Sequence, residues 1–356
     1  MSDGRLGQGR ISRFIQAWVE QFHPERIRER SHLWFGYPIS IALVVLWLVL
    51  LVLWGGEPVG FDVQRAALDR AEGDSKKLVV GYVTTATLIK VVETMLEKPG
   101  GYLSNDITPP GLIMDNIPNW EFGVLVQVRD LSRALRNDMS RSQTQSVENK
   151  SLSQAEPHFN FDNDSWLFPP SEREYRKGVD ALTNYMNHLA DQDETGTQFY
   201  ARADNLRGWL AIVEKRLGSM SQRLSASVGQ VRVNTDMAGE SDARQSTEAP
   251  AMVVIKTPWL EVDDVFYEAR GMTWALIHFL RAVEVDFYEI LRKKNALVSL
   301  RQIIRELEST QRPAWSPMVL NGSGFGLVTN YSLIMASYIS RANAAIIDLR
   351  SLLEQG

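Results

Sequence analysis

Cysteine is missing from all 356 residues. Its absence excludes disulfide staples, thiolate metal ligands and acylation of a lipoprotein cysteine, and it suits an oxidising compartment without requiring one. Clustered positive charge is scarce as well. The chain carries −5 overall, residues 1–33 carry +2, and the remaining residues therefore carry −7. That balance argues against the basic stripe a nucleic-acid surface needs, so no nucleic-acid partner is expected. The histidines (23, 32, 158, 188 and 278) show no H-E-x-x-H or other paired ligand spacing, and no G-x-S-x-G elbow is present. No catalytic residue, metal ligand or cofactor site can be assembled from these residue types.

What the chain does have is one long apolar run, Trp34 to Trp54, with no charged side chain between Ile41 and Trp54. As a helix, about 20 residues cross the roughly 30 Å hydrocarbon core of a bilayer. A cleaved signal peptide would need a shorter apolar region and a small-residue cleavage site, whereas Leu53-Trp54-Gly55-Gly56 offers no A-x-A pattern. A core helix of a soluble domain would show a polar face, and this run has none. The reading is an uncleaved transmembrane anchor over 34–54, so the lipid bilayer is the first expected partner. Arg26, Arg28 and Arg30 precede the run closely, while the first positive residue after it is Arg65. By the Lys/Arg bias, residues 1–33 face the cytoplasm and 55–356 lie on the other side. Trp34 and Tyr37 at one end and Trp54 at the other fit the aromatic belts of the two membrane interfaces. In the tail, Ile11, Phe14, Ile15, Trp18, Val19 and Phe22 fall on one helical stripe that Pro24 ends. This predicts an amphipathic helix at the membrane surface, with Trp18 and Phe22 as interface residues; packing against a partner's helix is the alternative.

Beyond the anchor the periodicity is helical. Leu78, Tyr82, Ile89, Val92 and Leu96 make one stripe, stopped by Pro99-Gly100-Gly101, and Lys90 and Glu93 inside it argue against a second span. Asn119 reads as the cap of a helix carrying Trp120, Val124, Leu131 and Leu135, and Ser140–Ser153 reads as an exposed polar stretch. Ser171 with Glu174 forms an S-x-x-E capping box ahead of Tyr175, Val179, Leu182, Met186 and Leu189. Phe199, Leu206, Val213 and Met220, with Ala203, Leu210, Leu217 and Leu224, make an a/d seam over nearly four heptads, the pattern of a coiled coil or a long bundle helix. Residues 234–250 read as a disordered loop, and the flanking runs Val231–Val233 and Val253–Ile255 read as a small hairpin. Asp263-Asp264 starts a long helix with Val265, Ala269, Met272, Leu276, Leu280, Val283, Phe287 and Leu291 inward, and helical pattern runs on to Pro313. A last helix begins near Val328 and continues to Leu352. The expected fold is all-α: a single N-terminal transmembrane helix followed by an extended antiparallel helical bundle.

Three motifs invite a chemical reading. Asn160, Asp162 and Asp164 alternate like the opening of a calcium loop, but Ser165 and Ser171 stand where Gly and Glu are needed, which favours turn chemistry. Phe159, Phe161, Trp166 and Phe168 share that segment, so Phe159, Phe161, Asp162, Asp164, Trp166 and Phe168 are the candidate recognition residues. Asn321-Gly-Ser-Gly-Phe-Gly326 resembles a phosphate-cradling loop but matches neither glycine fingerprint and reads as an interhelix turn. His278 sits in a strongly apolar helix and reads as a satisfied core residue.

The anchor, the Gly100-Gly101-Tyr102-Leu103-Ser104-Asn105-Asp106 stretch, Pro109-Pro110-Gly111 and Phe159-Asn-Phe-Asp-Asn-Asp-Ser-Trp166 together resemble a Gram-negative bacterial family described as domain of unknown function 2333. The resemblance runs over most of the chain and implies no activity. It makes the membrane the inner membrane and the far side the periplasm. The expected role is an interaction or scaffold module of an envelope assembly, with a protein partner or self-association. The alternatives are a periplasmic ligand-binding or sensory module using residues 158–168, and an envelope hydrolase, for which no site can be assembled.

Overall fold

The computed structural model describes residues 33–142, 148–191, 197–233, 252–313, 318–323 and 327–355. The amphipathic stripe of the tail with Trp18 and Phe22, the Trp34 side chain, the 234–250 loop and residues 324–326 of the glycine-rich turn lie outside the described residues. The chain divides into two compact units, Met1–Leu53 and Trp54–Gly356. The described part of the first is helix α1, Leu33–Trp54. Its Tyr37–Trp54 window has a mean hydropathy of 2.5 and no buried residue, and it is the one helix among the described residues long and apolar enough to cross a membrane.

The second unit is helical apart from one hairpin. Its elements are α2 (Val63–Arg70), α3 (Tyr82–Glu97), α4 (Asn116–Ala134), α5 (Lys150–Phe159), α6 (Ser171–Ala190), α7 (Ala203–Ser225), α8 (Val262–Asp286), α9 (Tyr288–Lys293), α10 (Leu297–Glu308) and α11 (Tyr331–Glu354). Strands β1 (Gln230–Val233) and β2 (Met252–Ile255) pair antiparallel with Gln230 opposite Ile255, the hairpin anticipated from the β-branched runs. Helix α8 is the central rod. Every residue from Glu268 to Leu280 is buried, because α3, α4 and α10 pack around it. The single inward stripe expected for it is therefore too narrow: a helix enclosed on all sides has no solvent face.

Helices α4 and α8 meet backbone to backbone. A Cβ on Gly123 would fall 2.1 Å from the Glu268 carbonyl oxygen, and one on Gly271 would fall 1.9 Å from that of Trp120. Asn119 reaches Asp264 while Gly123 lies against Glu268, so these two helices advance in the same direction. Elsewhere the pairing is antiparallel. The heptad seam of α7 packs along α11, with Arg207 on Glu354, Glu214 on Arg350 and Ser221 on Ser340. Leu206, Leu210, Val213, Leu217, Met220 and Leu224 are all buried; the seam is covered by the chain's own last helix.

Four local expectations change. Phe199 precedes the seam helix and packs instead on Gly81 and Phe287. Residues 150–153 open helix α5, where Leu152 is buried, because Asn149 accepts the Ser151 and Leu152 amides as a cap. Asn119 lies inside α4, which starts at Asn116. The pattern running to Pro313 is broken at Asn295, whose φ of +53° ends α9 before α10 begins.

Candidate functional site

The loops before α4, α6 and α8 gather at one end of the bundle, and they include the Gly100–Asp106 stretch and most of the 158–168 segment. The 158–168 segment is held there by its backbone. Arg129 donates from Nε to the Phe159 carbonyl (2.7 Å) and from Nη2 to that of Phe161 (2.8 Å). The Tyr102 hydroxyl donates to the Asn163 carbonyl (2.9 Å), Ser171 Oγ to that of Asp162 (2.7 Å), and Asn105 Nδ2 to that of Ser165 (2.7 Å). Carbonyls that a calcium loop would turn toward an ion are thus taken by protein donors. This also explains why Ser171 forms no capping box. Its buried hydroxyl serves the loop, and Glu174 is engaged by His158 and Lys177.

The six candidate recognition residues separate into two sets. Phe159 is fully buried against Gly178, and Phe161 is half-buried on the core. Asp162, Asp164, Trp166 and Phe168 are exposed. Leu167 joins the exposed set, and Phe168 holds a left-handed φ of +51° with 87% of its surface exposed. For an aromatic residue that backbone is a costly conformation.

The stretch Gly100–Asp106 is organised by one buried ion pair. Glu121, on α4, and Lys98, at the end of α3, have almost fully buried side chains and contact each other directly. Lys98 also donates to the Gly101 carbonyl. Glu121 accepts the amides of Leu103 and Ser104, both at 2.8 Å, and the Ser104 hydroxyl at 2.5 Å. Burial pushes the Glu121 carboxyl up and the Lys98 ammonium down, and the charge of each opposes the shift of the other. Neither residue stood out in the sequence, where each reads as an ordinary helix-end charge. The available signal was the Gly-Gly turn next to Lys98, which demands positive φ at both glycines.

Asp263 and Asp264 do begin α8, where helix-end amides favour negative charge. The Asp264 carboxyl is nevertheless pushed up to about 6, first by burial and then by the charges of Asp115 and Asp263. His278 is the satisfied core residue expected. Its Nδ1 lies 2.7 Å from the Trp274 carbonyl and its Nε2 accepts the Phe61 amide at 3.0 Å. Burial pulls it down to about 4, so it is neutral near pH 7. A groove of about 610 Å³ between α4 and α7 carries Asp130 and Glu268, paired with Arg216 and Arg223. A second, of about 410 Å³ beside His278, carries Arg270 paired with Glu57. Among the described residues no group of three or more His, Asp or Glu could hold a metal ion.

Trp54, at the last turn of α1, is half-buried, and Tyr37 is exposed. No curated protein and no solved structure matches the chain. Residues 27–356 match the family described as "Uncharacterized protein conserved in bacteria (DUF2333)", nearly the whole sequence. With its apolar helix, its helical unit and its Gly100–Asp106 and Phe159–Trp166 loops all inside the matched span, the chain belongs to the bacterial family DUF2333.

Proposed function

We propose that this is a single-pass inner-membrane protein with a cytoplasmic N-terminus, whose helical domain lies in the periplasm and serves as an interaction or scaffold module of an envelope assembly. The observation that carries the reading is the Tyr37–Trp54 helix, 18 residues of mean hydropathy 2.5 with none buried, joined to a large helical unit. The charged side chains Asp130, Glu268 and Arg270 in the two grooves are spent on internal ion pairs. That supports a structural role over a catalytic one. The sensory alternative loses ground because Phe159 is a core residue and leaves the aromatic set short.

Two experiments test the proposal. A reporter fused after Gly356 should be active only as a periplasmic reporter; activity restricted to a cytoplasmic one overturns the topology. Crosslinking of the full chain in intact cells should recover a defined envelope protein. Recovery of none, with specific binding of a glycan or small molecule by the purified chain, overturns the scaffold role.

A further inference from the structure

Large apolar side chains are exposed unevenly over the helical unit. At the end where α3, α9 and α10 meet the tip of α8, those exposed among the described residues are Val80, Tyr288 and Val298. At the opposite end Ile107, Leu112, Trp166, Phe168, Trp259 and Leu260 are all exposed, with Leu260 at 75% and Trp259 at 69%. Specific contacts bring these loops together. Asn105 on Ser165 joins the loop of Ile107 and Leu112 to that of Trp166 and Phe168. Asn119 on Asp264 joins the start of α4 to the start of α8, just after Trp259 and Leu260. This is also where the chain passes into the unit. The Trp54 ring packs on Gly100, where a Cβ would fall 2.7 Å from it. Gly100 lies in the same loop as Ile107.

We infer that this end of the bundle is a bilayer-apposed surface, its loop tips set into the interfacial layer of the leaflet from which the chain emerges at Trp54. The inference rests on α1 crossing the membrane and adds a second, peripheral contact. Three features select lipid as the occupant. The patch is continuous with the residue that ends the apolar helix. It is rich in Trp, Phe and Leu, the side chains that partition into the interface. The left-handed backbone of Phe168 holds a ring almost wholly out of the protein, a costly arrangement in water that lipid contact offsets. The loops of Ile107 and Trp166 carry the exposed acids Asp162 and Asp164 and no exposed Lys or Arg between residues 99 and 115 or 160 and 170, and the loop of Trp259 adds a single exposed base, Lys256. Attachment is therefore by apolar burial rather than by attraction to anionic headgroups, and a zwitterionic membrane suffices.

The absence of cysteine makes the test direct. Single-cysteine variants Leu112→Cys, Leu167→Cys, Leu260→Cys, Val298→Cys and Val44→Cys are labelled with an environment-sensitive fluorophore. The full chain is then placed in phosphatidylcholine vesicles containing spin-labelled phosphatidylcholine. The labels at 112, 167 and 260 should be quenched at least about two-fold more than that at 298, as interfacial insertion requires. Quenching at 44 with none at 112, 167 and 260 overturns the inference and leaves the anchor standing. No quenching at 44 overturns the anchor, and the inference with it. Loop labels shielded from water but not quenched by lipid overturn the inference in favour of a protein cover, such as a second copy.

Discussion

Replacing Lys98 by Met removes the counter-charge in contact with a carboxylate that has no solvent exposure. Glu121 keeps the Leu103 and Ser104 amides and the Ser104 hydroxyl, but its charge loses its partner. Breaking one side of a buried ion pair costs about 3–5 kcal/mol. Glu121→Gln should cost a similar amount by a different route. Leu103 donates to one carboxylate oxygen and Ser104 to the other, so one of the two must face the amide NH2 of Gln, donor against donor. The double variant Lys98→Met with Glu121→Leu removes both charges and should lose much less than the sum of the singles. In Lys98→Met the lone carboxyl is raised further above its unfolded value. The folded state then binds the proton more tightly, and the defect should be larger at about pH 8 than at about pH 5. Urea unfolding of the full chain in detergent, followed by far-ultraviolet circular dichroism, gives these differences. Single losses below about 1 kcal/mol, the range of an exposed pair, or additive losses in the double variant, would refute the buried-pair reasoning.

Gly271→Ala should destabilise the same unfolding transition by about 1–3 kcal/mol or more, since the atom its Cβ meets is the Trp120 carbonyl, which only a helix shift can move; an unchanged midpoint would mean α4 and α8 do not touch. His278 is neutral when folded, with a value near 4 against 6.5, so the unfolded chain takes up the proton first and stability falls as pH drops through that window. The stability advantage of the parent chain over His278→Gln should therefore shrink by up to about 3 kcal/mol between neutral pH and pH 4. The comparison cancels the opposing contribution of Asp264, and a constant difference would show that His278 is accessible. Leu210→Asp and Leu217→Asp each place a carboxylate between α7 and α11, and each should cost more than about 3 kcal/mol or unfold the chain. An intact fold would mean the seam lies on the surface.

What the sequence disclosed of this fold is whatever repeats along it. The seam from Leu206 to Leu224 and the apolar run to Trp54 are local patterns, and both reappear as helices with the anticipated faces. The β-branched runs around 231 and 254 were also legible, because pairing needs only two short complementary segments. What stayed hidden depends on distant partners. Gly123 and Gly271 read as mild helix weaknesses until their helices are placed side by side. Lys98 and Glu121 are separated by a whole loop, and nothing in their spacing reveals that they meet. The candidate site was half legible for the same reason. The composition of residues 158–168 flagged the segment, but only the Arg129 and Gly178 contacts show that Phe159 faces inward while Trp166 and Phe168 face out.

The residues just after Trp54 bear on how the protein carries mechanical load. Glu57 grips Arg270, which also donates to the carbonyls of Thr310 and Arg312, and Phe61 is stacked on His278 while its amide is held by the same ring. Within seven residues of Trp54 the chain is clamped twice to the central rod. Tension entering the helical unit at Glu57 passes into α8 and the segment after α10. Residues 57–61 are thus part of the helical unit itself, not a linker leading to it.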